Sequence, residues 1–99
     1  MNKLKLIITQ EAYNDLESIS DYIANDNISA SKNLINELFD YCNTLCEFPN
    51  MGVRKNCIKD KSVKIYIYKK QYLIAYKIDN NKLVVFKFTS RYQDIQNLL

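Results

Sequence analysis

Phe48-Pro49-Asn50-Met51-Gly52-Val53-Arg54 is where the chain changes character, and it holds the one proline and the one glycine of the 99 residues. A residue before proline is pushed out of helical geometry, so a helix arriving at Phe48 has to stop there. Upstream of this segment apolar residues recur every three or four positions; downstream they alternate. Charge divides at the same place. Residues 1–50 carry three lysines against eight carboxylates, a balance of −5, and residues 51–99 carry eleven Lys/Arg against three aspartates, a balance of +8. The overall charge of +3 therefore hides a strong dipole, whose basic half calls for an acidic or anionic partner.

Working back from the junction, Leu34, Ile35, Leu38, Cys42, Leu45 and Cys46 sit at helical spacing and predict a helix ending near Glu47, with Ser29 as its cap. Asn25-Asp26-Asn27 separates it from an earlier amphipathic helix over about residues 10–25. There Ala12, Leu16, Ile19 and Ile23 form the apolar stripe, and Glu11, Asp15, Glu17 and Asp21 form a solvated face. Thr9 suits the N-cap of this first helix. Tyr13 and Tyr22 flank the stripe as packing residues. Before it, Leu4, Leu6 and Ile8 alternate with Lys3, Lys5 and Ile7 as a strand would.

Working forward, three alternating segments follow, around Val63–Tyr68, Tyr72–Ile78 and Leu83–Thr89. Lys69-Lys70 and Asp79-Asn80-Asn81 serve as the tight turns between them. Tyr92 to Leu99 has the pattern of a short closing helical turn. Strands segregated from helices give an α+β fold: one strand, a helical hairpin, then a three-stranded antiparallel meander. The expected core rows are Val63/Ile65/Ile67, Tyr72/Ile74/Tyr76/Ile78 and Val84/Phe86/Phe88. Lys64, Tyr66, Tyr68, Lys77, Lys87 and Arg91 are then left on an open sheet face. A slip of one residue would swap a row's face. Cations interleaved with tyrosines suit RNA, although composition alone favours an ordinary solvated face.

Composition removes several function classes. The 47% apolar content supports a single domain spanning 1–99 with one modest core. No stretch approaches the length of a membrane span. The apolar run at the start is too short for a signal peptide and no small-residue cleavage site follows, so a cytoplasmic protein is expected. Histidine is absent, which removes Ser-His-Asp and Cys-His catalysis. With one glycine there is no phosphate-binding loop. Cys42 and Cys46 lie one helical turn apart, but with no histidine, and with Cys57 elsewhere, buried thiols are favoured over ligands. No metal or cofactor is expected. The carboxylates form no catalytic pair, which argues against metal-ion nuclease chemistry. Lys55, Lys59 and Lys61 fall in a loop where they aid solubility.

The chain resembles the RelE/ParE superfamily of small bacterial toxins from type II toxin–antitoxin pairs. Thr9-Gln10-Glu11-Ala12 and Asp15 through Ile23 carry the resemblance in the first helix, and Ala30-Ser31 in the second. It continues through Leu45 to Arg54 at the junction and Tyr72-Leu73-Ile74-Ala75-Tyr76-Lys77-Ile78-Asp79 in the meander. The close is Arg91 to Asp94, then Leu98-Leu99. What distinguishes the family is the first-helix pattern, Pro-x-Met-Gly and Tyr-Leu-Ile-x-Tyr in that order. The last motif departs from the family's Arg-x-Asp by one extra residue between Arg91 and Asp94.

The resemblance implies one of two activities. RelE-like members are implied to cut messenger RNA on the ribosome without metal. Here that would fall to Arg54, Lys64, Lys87, Arg91 and Tyr92. ParE-like members are implied to poison DNA gyrase through protein contacts and need no catalytic set. The Asp-Leu-x-x-Ile-x-x-Tyr-Ile helix and the scarcity of arginine favour ParE, because a nuclease lacking histidine and metal gains from bidentate guanidinium on the phosphate. Arg91-Tyr92 at the last strand's end is the counter-argument. An inactive module that binds antitoxin and tunes its own operon is a third reading. In each reading the partner is a cognate acidic antitoxin, with Arg54, Lys64, Tyr66, Lys77, Lys87 and Arg91 as contact candidates for antitoxin or target.

Overall fold

The computed structural model describes residues 3–54 and 58–90. Strand β1 (Lys5–Ile8) leads into α1 (Gln10–Ala24), which a short break joins to α2 (Ile28–Glu47). A 3-10 turn over Pro49–Met51 follows, then β2 (Lys64–Tyr68), β3 (Tyr72–Asp79) and β4 (Lys82–Thr89). The α+β order read from the sequence is the order observed. The closing helical turn expected at Tyr92 to Leu99 lies outside the described residues, as do Lys55 and Cys57.

The sheet order is β1-β4-β3-β2. β2, β3 and β4 form the antiparallel meander, and β1 joins its β4 edge in parallel, with Lys5 opposite Lys82 and Ile8 opposite Val85. A parallel pair needs a long crossover, and the helical hairpin supplies the first part of it. Lys69, Lys70, Asn80 and Asn81 all have positive φ, so both hairpins close through left-handed pairs of residues. Thr9 caps α1, accepting the Ala12 N–H at 3.2 Å. The cap of α2 is Asn27, not Ser29: its Oδ1 accepts the Ala30 N–H at 3.0 Å, and the helix has already begun at Ile28. The two helices approach closely at Ser31, whose hydroxyl donates to the Ser20 carbonyl at 2.8 Å.

The helices cover one face of the sheet. Leu16, Leu34, Leu38, Cys42 and Leu45 meet Ile74, Tyr76, Leu83, Val85 and Phe88 in the main core. A smaller cluster of Ile58, Val63, Ile65, Leu73 and Ala75, with Ile67 and Phe86 against it, occupies the opposite face. Two expected core rows are therefore on the other side. Val63/Ile65/Ile67 lies beneath the loop carrying Ile58, while Tyr66 and Tyr68 turn toward α2. In β4, Leu83 and Val85 face the helices. The register breaks between Ala75 and Tyr76, so Tyr76 pairs with Val85 while Ala75 pairs with Lys87. The extra residue returns Phe88, but not Phe86, to the main core. Both faces carry apolar residues along these strands, so alternation alone had no polar row to orient it.

Candidate functional site

The candidate side chains separate into three places. Lys64 and Tyr66 stand opposite Tyr76 and Ile74 in the β2–β3 ladder and so share the helix-covered face. Lys77 and Lys87 stand opposite Val84 and Ala75, on the other face. Arg54 is exposed and follows Val53, which bridges Ile65 on the outer edge of β2. The single cationic face expected from alternation is therefore not formed: its residues divide between two faces and an edge. Arg91 and Tyr92 lie outside the described residues.

Partners restrict several of these groups. The Lys77 ammonium lies 2.7 Å from Asp60 Oδ2 and over the Phe86 ring. Asp60 also accepts from Ser62 Oγ at 2.6 Å and from its N–H at 2.9 Å. The Lys77 contact foremost, then Ser62, holds this carboxyl well below the usual aspartate range. Lys87 lies 3.7 Å from Asp15 Oδ2. The same oxygen accepts the Phe88 N–H at 3.1 Å. Asp15 is thus not part of a solvated helix face; it satisfies the β4 backbone where β1 no longer pairs with it. Tyr66 stacks on Tyr41 at 5.4 Å between ring centroids. Burial, and then Tyr41, push its phenol above the ordinary value.

Tyr68, expected on an open face, is buried and donates to Glu37 Oε2 at 2.6 Å. Lys69 pairs with the same carboxylate at 3.1 Å. Lys64 donates to Asn50 Oδ1 at 2.7 Å, which ties β2 to the junction.

The junction has its own clamp. The buried Tyr76 hydroxyl donates to the Pro49 carbonyl at 2.6 Å and accepts the Gly52 N–H at 2.9 Å. A Cβ on Gly52 would overlap that hydroxyl and come within 2.8 Å of the ring carbons behind it. Glycine is therefore required for close approach, not for backbone conformation. Neither Asn50, Asp60 nor Tyr76 stood out in the sequence as a partner. The signal available was the pairing of a lone glycine with the tyrosine that follows Leu73-Ile74-Ala75 in the middle of β3.

Among the described residues no group of three or more Cys, Asp or Glu is placed to hold a metal ion. Burial, and then Cys46, push the Cys42 thiol up to about 12, and burial raises Cys46 as well. Both therefore stay protonated and inert near neutral pH. No helix among the described residues is long and apolar enough to cross a membrane.

Comparison with known proteins adds a family. The family model described as the ParE toxin of the type II toxin–antitoxin system parDE matches residues 6–95. Among solved structures, the chromosomal ParDE toxin–antitoxin system of P. aeruginosa superposes with a TM-score of 0.73 at 13% identity, covering 89% of this chain and 96% of that one. A chain of the RelBE2 toxin–antitoxin complex of Mycobacterium tuberculosis gives 0.65 at 16% identity, covering 92% and 94%. A conserved hypothetical protein of Helicobacter pylori gives 0.54 at 18%, covering 89% and 94%. At these identities the superpositions establish the fold alone. No curated protein matches the chain by sequence.

Proposed function

The chain belongs to the ParE toxin family of type II toxin–antitoxin systems, and from that premise we propose that it is a cytoplasmic toxin that arrests growth by binding DNA gyrase and is held inactive by a cognate acidic antitoxin. The reach of the family match, from β1 to beyond β4, is the observation that carries this reading. Placement of the candidate residues supports a binder over a nuclease. Cleavage of RNA without metal or histidine needs several cations and a proton donor around one phosphate. Among the described candidates, Lys77 and Lys87 are paired with carboxylates, Tyr66 is stacked with a raised phenol pKa, and Lys64 and Arg54 lie elsewhere.

Purified toxin added to gyrase and relaxed plasmid tests the reading. Supercoiling should stop and cleaved, gyrase-linked DNA should accumulate. Full supercoiling activity, together with cut messages in a translation extract, would establish the RelE-like alternative instead. Normal growth of cells expressing the chain without its partner would leave the inactive, operon-tuning module.

A further inference from the structure

The turn from α2 into the sheet leaves apolar surface uncovered. Phe48, Met51 and Val53 keep 50%, 41% and 51% of their surface exposed. Phe48 and Met51, with Leu4 and Cys46, line a groove of about 520 Å³. Its walls are fixed in advance. Tyr76 holds Pro49 and Gly52 from beneath, and the Leu4 N–H donates to the Cys46 carbonyl at 3.1 Å. These bonds fix the backbone on either side of Phe48 and Met51.

Cations outnumber acids around the groove. Lys3 lies close enough to act electrostatically on the Cys46 thiol. Lys64 is hydrogen-bonded to Asn50, which lines the groove. Arg54 follows Val53, which bridges Ile65, the neighbour of Lys64 in β2. Among the described residues none of these three has a carboxylate within ion-pair distance, whereas Lys69, Lys77 and Lys87 each have one. The groove lining contributes a single acid, Glu47. A second copy of the chain would bring these cations face to face, so self-association through this patch is opposed.

We infer that this groove docks an acidic segment of a partner protein, with apolar side chains seated beside Phe48 and Met51 and carboxylates on Lys3, Arg54 and Lys64. The inference rests on the reading above in so far as the antitoxin is that partner. Apolar burial supplies the affinity, and the cations select the sign of the partner's charge. A groove with a clamped backbone suits a segment that orders only on binding, since the toxin backbone adds little ordering cost.

Two labelled peptides of equal length test this, one an amphipathic Leu/Glu helix and the other its Leu/Lys counterpart. The Leu/Glu peptide should bind and protect the amides of residues 48–54 from hydrogen exchange, and the Leu/Lys peptide should not. F48S/M51S alters exposed side chains, and folding is checked by circular dichroism. It should weaken binding about tenfold or more. K3E/K64E should weaken the Leu/Glu peptide and admit the Leu/Lys one. Equal binding of both peptides, no binding of either, protection elsewhere, or a wild-type dimer that F48S/M51S dissociates would overturn the inference. The gyrase assay is separate: its failure removes the proposed target and leaves the peptide result standing.

Discussion

At the scale of single residues, the contact between Tyr76 and Gly52 gives physical content to two motifs far apart in the chain. The second tyrosine of Tyr72-Leu73-Ile74-Ala75-Tyr76 is the clamp, and the glycine of Pro49-Asn50-Met51-Gly52 is what lets the backbone reach it. Tyr76→Phe strands a buried N–H and a carbonyl, and urea denaturation should show a loss of about 1–3 kcal/mol. Gly52→Ala should cost about as much through overlap with the ring. The double variant should lose less than the sum, because removing the hydroxyl relieves part of the overlap; strict additivity would mean the clamp is not formed. Cys42 and Cys46 give a second check. Their thiols should resist a thiol-specific reagent in the native protein and react once urea unfolds it, as followed by mass spectrometry.

At the scale of elements, local signals set the boundaries and tertiary contacts chose the faces. Thr9→Ala should destabilise the protein by about 1 kcal/mol through the lost cap, read from the urea midpoint. Lys70→Gly should stabilise it by about 1 kcal/mol, since lysine at positive φ is strained and Lys70, unlike Lys69, is in no ion pair among the described residues. Helices, turns and strands were legible because each has a local cause: Pro49 for the end of α2, paired Asn80-Asn81 for a hairpin, Thr9 for a helix start. Which side of β2 faces the helices was not. Lys64-Ile65-Tyr66-Ile67-Tyr68 offers an aliphatic row and an aromatic one, and both are suited to burial. The choice is made by Tyr41 and Glu37 on α2, which receive the tyrosines, and by Ile58, which covers the isoleucines. The candidate site was legible as a list of cations but not as a place. The bulge and the carboxylate partners Asp15 and Asp60 come from segments with no local signal pointing at those lysines.

At the scale of the whole molecule, the dipole in the sequence is partly folded back on itself. Asp15 on α1 and Glu37 on α2 meet Lys87 and Lys69 from the basic half. Stability should therefore depend on pH in a defined direction. Tyr68 first, then Lys69, lowers the Glu37 carboxyl below its ordinary 4.5, and Lys77 lowers Asp60 below its ordinary 3.8. A depressed carboxyl contributes stability above its unfolded value and loses it as pH falls through the folded one. The melting temperature should hold from pH 7 to about 5 and fall below about 4.5, and Glu37→Gln with Asp60→Asn should flatten that fall. An unchanged slope in the double variant would assign the acid sensitivity to other groups. The parallel seam between β1 and β4 acts on a different axis, that of time. Lys5 meets Lys82, so the first strand made waits for the last. Contacts that span nearly a whole chain close late. A nascent copy of this protein thus cannot complete its sheet until β4 has been made, and one terminated before β4 leaves the β3 and β1 edges open to proteases and chaperones.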